Sequence, residues 1–190
     1  MKILYDHYIF TDQKYGGISR YFYELIKFFN KNIDTKTSTS LLFSNNYYIR
    51  DNKNVKHFKF LPNHSFKGKQ RFLFLINKMI LVLNLRKKDF DLFHPTYYDT
   101  FFLNHIGNKK FVLTVYDMIH EKFDYAFAKN DKTTLKKKVL CEKASKIIAI
   151  SESTKNDLIE LFDIAESKIK VIYLGNSMLL DTKIQIDTNL

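Results

Sequence analysis

The chain has 190 residues, 45% of them apolar, with 5 glycines, 2 prolines and a single cysteine, Cys141. That is enough apolar material for one ordered domain with a sizeable core, and it excludes a disordered chain, an internal disulfide and a cysteine-built zinc site. The net charge is +11, from 31 Lys and Arg against 20 Asp and Glu, which favours phosphorylated ligands or an anionic membrane surface; without an arginine-rich tract or RNA-recognition signature, nucleic acid is not an expected partner.

After Lys2, the run Ile3-Leu4-Tyr5 predicts a strand. Asp6 and His7 interrupt it far short of a secretory leader. A polar loop is expected from there to Gly16-Gly17. Ile18, Tyr21, Phe22, Leu25, Ile26 and Phe29 then recur at spacings of three and four, the mark of a helix. Strand, glycine turn and helix open an α/β unit. The helix start points free N–H groups and a positive dipole end above the sheet, a setting that favours phosphate. Glycines there let a ligand approach the backbone closely, although a Gly-Gly pair before a helix also serves as a plain turn.

Residues 37–43 read as a second strand and 44–54 as a loop. Val55, Phe58, Phe60 and Leu61 suggest a short strand ending at Pro62. In residues 67–88, Lys67, Lys69 and Arg71 lead into Phe72-Leu73-Phe74-Leu75-Ile76. Asn77 and Lys78 interrupt, and Arg86-Lys87-Lys88 close the segment. It is too short and too interrupted to span a bilayer, which takes about 20 apolar residues. It reads as a helix packed on a sheet, as a helix in the membrane interface with lysines meeting anionic lipid, or as both at once.

Residues 90–94 form a strand pattern broken by Pro95. Residues 111–115 are continuously apolar, as in a strand buried on both faces. Residues 132–144 read as a lysine-rich helix with Leu135, Val139 and Leu140 inward, and 146–150 as another strand. Ser151 is a good N-cap for a helix carrying Leu158, Ile159, Leu161 and Phe162, and 170–173 is the last strand, before Gly175. The alternation predicts an α/β fold, a doubly wound, mostly parallel, Rossmann-like sheet.

Ligands of such sheets gather outside the carboxyl ends of the strands. The residues expected there are Gly16, Gly17, His94, Pro95, Thr96, Tyr97, Tyr98, Tyr116, Asp117, Ser151, Glu152, Gly175 and Asn176, with Arg20 early in the first helix. Asp117 stands out, because an acid ending a buried apolar strand needs a partner or a purpose. For the others a plain structural role competes: a cap for Ser151, space-filling for Tyr97 and Tyr98, a satisfied turn for His94, a surface position for Arg20. No G-x-G-x-x-G follows the first strand, which disfavours a dinucleotide-dependent dehydrogenase.

Taken in order, Gly16-Gly17-Ile18-Ser19-Arg20-Tyr21, Phe93-His94-Pro95-Thr96-Tyr97-Tyr98, Thr114-Val115-Tyr116-Asp117-Met118-Ile119, Ala149-Ile150-Ser151-Glu152-Ser153-Thr154 and Val171-Ile172-Tyr173-Leu174-Gly175 closely resemble the N-terminal domain of family 4 glycosyltransferases. The resemblance implies a retaining enzyme of the GT-B fold, many of which build bacterial surface polysaccharides. It also implies that residues 1–177 are the acceptor-side domain and that 178–190 are a polar tail or the start of a linker. The partner would be a missing C-terminal domain that binds the nucleotide sugar, so the chain alone should not turn over.

By the same resemblance, Asp117 would contact the transferred sugar or support developing oxocarbenium charge. Gly16, Gly17 and Arg20 would lie near the donor diphosphate. His94, Tyr97, Tyr98, Tyr116, Ser151 and Glu152 would contact substrate. No metal and no cofactor beyond the nucleotide-sugar donor are implied. The acceptor would be a glycan or lipid-linked sugar at the cytoplasmic face of the membrane, with residues 67–88 against anionic lipid. Two positions depart from many relatives, which carry His where Tyr116 and Leu174 stand here. They leave open a non-catalytic glycan- or protein-binding module derived from the same fold.

Overall fold

In the computed structural model, which describes residues 1–50 and 55–175, six strands form one sheet. They are β1 (Lys2–Tyr5), β2 (Lys36–Thr39), β3 (Leu92–His94), β4 (Lys110–Val115), β5 (Lys146–Ala149) and β6 (Ile169–Val171). The order is β2-β1-β3-β4-β5-β6, and every pairing is parallel. The helices are α1 (Tyr8–Asp12), α2 (Gly17–Phe29), α3 (Lys69–Lys87), α4 (Ile119–Lys122), α5 (Thr133–Lys143) and α6 (Glu152–Phe162). This is the doubly wound α/β architecture the sequence predicts, with an all-parallel sheet.

The strand order places the helices. From β1 the chain steps one way to β2, then crosses back and steps the other way from β3 to β6. Crossovers between parallel strands are right-handed, so α2 lies on one face and α3, α5 and α6 on the other. Two cores reflect this division. Leu4, Phe93, Phe111, Leu113 and Ile147 pack with Leu81, Leu85, Phe102, Leu140 and Leu158. Ile3 and Tyr5 pack with Phe22 and Ile26 of α2 and with Ile9, Phe10 and Leu41.

Several local expectations need correction. The loop after β1 contains α1, which buries Ile9, Phe10 and Thr11; five residues are too few for periodicity to reveal. The second strand stops at Thr39 rather than Phe43. Its apolar continuation is held instead by Asn77, whose Oδ1 accepts from the amides of Leu42 (2.9 Å) and Phe43 (3.0 Å) and whose Nδ2 donates to the Phe43 carbonyl (2.8 Å). The strand expected over 55–61 is reduced to one bridge, Phe43 to Phe58. Residues 51–54, Asn176, the expected boundary at 177 and the tail 178–190 lie outside the described residues.

Helix α5 is rotated from its expected pose: Leu135 is 66% exposed while Lys137 is fully buried. Its aliphatic stem fills the interior and its ammonium finds polar partners, described below. Helix α3 carries two apolar faces. Leu73, Asn77, Leu81 and Leu85 face inward at a spacing of four. Phe72, Leu75, Met79 and Leu83 face outward, between 45% and 60% exposed. No helix among the described residues is long and apolar enough to cross a membrane.

Candidate active site

The order reverses between β2-β1 and β3, so the switch point of the sheet lies at the carboxyl ends of β1 and β3, where doubly wound sheets bind ligands. β1 is followed by Asp6, which is only 2% exposed. Its Oδ1 accepts from the amides of Thr96 and Tyr8, both at 3.1 Å, and from the Thr96 hydroxyl. Burial pushes the Asp6 carboxyl up to about 6, against the pull of these hydrogen bonds. The Thr96 hydroxyl also accepts from the Ile9 amide at 3.0 Å. One buried carboxylate thus ties the ends of β1 and β3 together and starts α1. Sequence reading missed Asp6, although its signal, an acid just past a buried apolar strand, is the one that singles out Asp117.

The ring of Tyr8 stacks on Tyr97, with centroids 5.4 Å apart and planes 22° from parallel. Tyr97 in turn meets Tyr98 at 4.8 Å. Tyr97 is partly exposed; Tyr98 is buried and its hydroxyl accepts from the Tyr116 amide at 3.2 Å. Tyr98 therefore fixes the start of the loop that carries Asp117. The Tyr116 hydroxyl is buried without a hydrogen-bond partner among the described residues. Burial raises the pKa of both Tyr98 and Tyr116 well above the ordinary phenolic value, which keeps them neutral.

Asp117 is partly exposed just past β4. Its Oδ1 accepts from the Ile119 amide at 3.1 Å, starting α4, and its backbone carbonyl accepts from Lys137 Nζ at 3.0 Å. Lys137 also donates to Glu121 Oε2 at 2.8 Å and lies 5.0 Å from the centre of the Tyr98 ring. The loop is clamped from below while the carboxylate stays at the surface.

His94 is placed deeper. It is 5% exposed, its Nε2 is 2.9 Å from the Thr114 hydroxyl, and its ring packs against Tyr5 and Phe22. Burial lowers its pKa to about 3, so the ring is neutral. Ser151 is the N-cap of α6, accepting from the Thr154 amide at 3.1 Å. Glu152, exposed in the first turn of α6, lies 3.9 Å from Lys155.

At the start of α2, Gly16 is the N-cap and Gly17 the first helical residue. A Cβ on Gly16 would collide with the carboxamide oxygen of Gln13, which accepts from the Ser19 amide at 3.3 Å. A Cβ on Gly17 would meet nothing within 4 Å. Arg20 is exposed one turn into α2. The described residues contain no cluster of side chains suited to holding a metal ion.

These strand-end features coincide with one family. The model of glycosyltransferase family 4 matches residues 15–176. The chain belongs to that family. No curated protein matches it in sequence. Among solved structures, the family 4 chain shares its fold with HepE from Anabaena, solved with UDP and glucose (17% identity, TM-score 0.57, 93% of this chain and 45% of that one). It also shares it with the lipopolysaccharide outer core galactosyltransferase WaaB in its apo form (16%, 0.53, 95% and 47%). A glycosyltransferase from Rickettsia africae is similar as well (21%, 0.51, 92% and 43%). This family 4 chain spans less than half the length of each.

Proposed function

We propose that the chain is the acceptor-side half of a retaining glycosyltransferase that moves a sugar from a nucleotide-sugar donor to a lipid-linked or polysaccharide acceptor at the cytoplasmic membrane face. The observation that carries the reading is the family match over residues 15–176, and the carboxyl edge of the sheet supports it. There Asp117 offers a carboxylate, Tyr97 an aromatic ring for a pyranose, and the start of α2 an amide-rich end for the donor diphosphate. The donor sits chiefly on a second domain, as the relatives' greater length suggests, and Asp117 orients the transferred sugar and balances the positive charge that develops at its anomeric carbon. The experiment is a transfer assay with UDP- and GDP-sugars on the protein carrying both halves, beside calorimetry of the 190-residue chain. Turnover by the former and no tight nucleotide binding by the latter are expected. Tight UDP or GDP binding by the short chain would overturn the division of labour.

Helix α3 supplies the membrane contact in this reading. Its outward stripe of Phe72, Leu75, Met79 and Leu83 is exposed, and Lys67, Lys69 and Arg71 precede it while Arg86, Lys87 and Lys88 follow. An apolar stripe between cationic ends suits a helix lying in an anionic lipid interface.

A further inference from the structure

The sheet forks below Asp117. The last residues paired between β3 and β4 are Phe93 and Phe111. Beyond them β3 stays with β1 as far as His94, opposite Tyr5, whereas β4 stays with β5 as far as Val115, opposite Ala149. Pro95, which follows His94, has no N–H with which to continue a ladder. Over residues 112–115 β4 is therefore laddered to β5 alone, and its other edge enters the Asp117 loop without main-chain pairing to β3.

Side chains close the fork. The Tyr98 hydroxyl accepts from the Tyr116 amide at 3.2 Å, in place of a strand carbonyl. One step lower, His94 Nε2 and the Thr114 hydroxyl meet at 2.9 Å. At the far end of the same segment Lys137 Nζ donates to the Asp117 carbonyl at 3.0 Å. Tyr98 and Lys137 are both buried, and the ammonium lies 5.0 Å from the centre of the Tyr98 ring. Burying such polar groups costs free energy unless they are hydrogen-bonded. Here the bonds go to the two ends of one dipeptide, the N–H of Tyr116 and the C=O of Asp117, while the Asp117 side chain stays partly exposed.

We propose that Tyr98 and Lys137 are positioning residues for the transfer reaction. They fix the Tyr116-Asp117 backbone from both ends, so that the carboxylate stands in one place when the sugar arrives. The inference rests on the reading of Asp117 above and changes the part given to Tyr98. Its sequence position implies a substrate contact; its place in the fold makes it a buried group that acts through Asp117. Position matters because a misplacement of about 1 Å can cost roughly a hundredfold in rate, and a strand end laddered on one side lacks that restraint on the other.

Two variants of the protein carrying both halves test this. Tyr98→Phe deletes the acceptor and keeps the ring. Lys137→Met with Glu121→Leu removes the donor to the Asp117 carbonyl together with the carboxylate it would otherwise strand. In each, kcat is expected to fall at least about tenfold, with KM for donor and acceptor within about twofold of the parent. The paired variant should do so with a melting temperature close to the parent's, whereas a purely structural clamp would return activity along with stability. Parental kcat in either variant overturns the proposal for the residue concerned, and a rise in KM at unchanged kcat in Tyr98→Phe makes Tyr98 a substrate contact instead. Hydrogen exchange of the Tyr116 amide in the 190-residue chain reads the clamp without any turnover. Exchange at least about tenfold faster in Tyr98→Phe is expected, and an unchanged rate overturns the clamp. Turnover by Asp117→Asn separates the two readings: an active protein fails the role of Asp117 in the chemistry, even where amide exchange shows the clamp to be real.

Discussion

Lys137 and Glu121 form an ion pair of 2.8 Å with the lysine side chain fully buried and the glutamate side chain 3% exposed. It links α5 to α4 directly beneath Asp117, whose carbonyl shares the same ammonium. The second Glu121 oxygen, Oε1, is buried with no hydrogen-bond partner among the described residues. The ammonium is therefore the main compensation for a buried carboxylate. Lys137→Met, which keeps most of the apolar stem, should cost about 3–5 kcal/mol, because it strands that charge. Lys137→Met with Glu121→Leu should recover most of the loss. Urea unfolding of both variants checks this, and a single variant as stable as the parent would show that the pair is not a structural clamp.

That pair also marks a limit of sequence reading. The parallel sheet, the apolar strands β1, β4 and β5 and the N-cap at Ser151 follow from apolar runs and capping chemistry, whereas β2, which reads Lys-Thr-Ser-Thr, and the lone bridge at Phe58 do not. Leu135 and Lys137 exchange their expected places because a lysine can bury its stem when partners await its head. Those partners, Glu121 and the Asp117 carbonyl, are 16 and 20 residues away in sequence. Asn77 gives the same lesson. In sequence it interrupts an apolar run; in the fold it holds the backbone at residues 42–43 and donates to the Thr11 hydroxyl at 2.9 Å. Asp117 stands out in the sequence as a strand-end acid because β4 is six residues long and strongly apolar, whereas Asp6 follows a strand of only four.

Stability should fall in mild acid. Burial lowers the pKa values of His7 and His94 from 6.5 to about 3. Between those values the unfolded chain binds more protons than the folded one, so stability is lost as pH falls from about 6.5 towards 3. Asp6 acts in the opposite sense. Its folded value of about 6 lies above its ordinary 3.8, so the cost of burying its charge is relieved as pH falls through that window. Two imidazoles outweigh one carboxyl, and the melting temperature should be lower at pH 5 than at pH 7.5. His94→Gln, which retains a partner for Thr114, should flatten the profile, and Asp6→Asn should steepen it. A melting temperature that is constant or rises on acidification would contradict the burial of these rings as neutral groups.

Membrane contact by α3 predicts a response to charge. Reversing Lys67, Lys69, Lys87 and Lys88 to Glu should reduce binding to vesicles containing phosphatidylserine by at least about tenfold, given roughly 1 kcal/mol for each lysine near an anionic surface. Leu75→Ser with Met79→Ser should weaken binding while leaving the fold intact, since both side chains are 60% exposed. Cosedimentation measures both, and unchanged binding would leave α3 as a packing element only.

Asp117→Asn in the protein with both halves should abolish transfer, and its melting temperature should stay within a degree or two of the parent. The asparagine oxygen can still accept from the Ile119 amide, so the start of α4 is preserved and only the charge is removed. Near-normal turnover would exclude Asp117 from the chemistry.

Gly17 separates a turn glycine from a ligand glycine. Its φ is not in the left-handed region, and a Cβ there would enter open space. Nothing within the described fold therefore requires glycine, and Gly17→Ala should stabilise the 190-residue chain by about 0.5–1 kcal/mol through the reduced freedom of the unfolded state. In the protein with both halves the open space above α2 is where the donor diphosphate is proposed to sit, and a methyl group would hold it away from the helix amides. Turnover should then fall by roughly a hundredfold, as a misplacement of about 1 Å commonly does. Gly16→Ala is the contrasting variant. Its Cβ displaces the Gln13 side chain and releases its hydrogen bond from Ser19, so stability and activity should fall together. A Gly17→Ala protein that is both more stable and fully active would place the donor elsewhere.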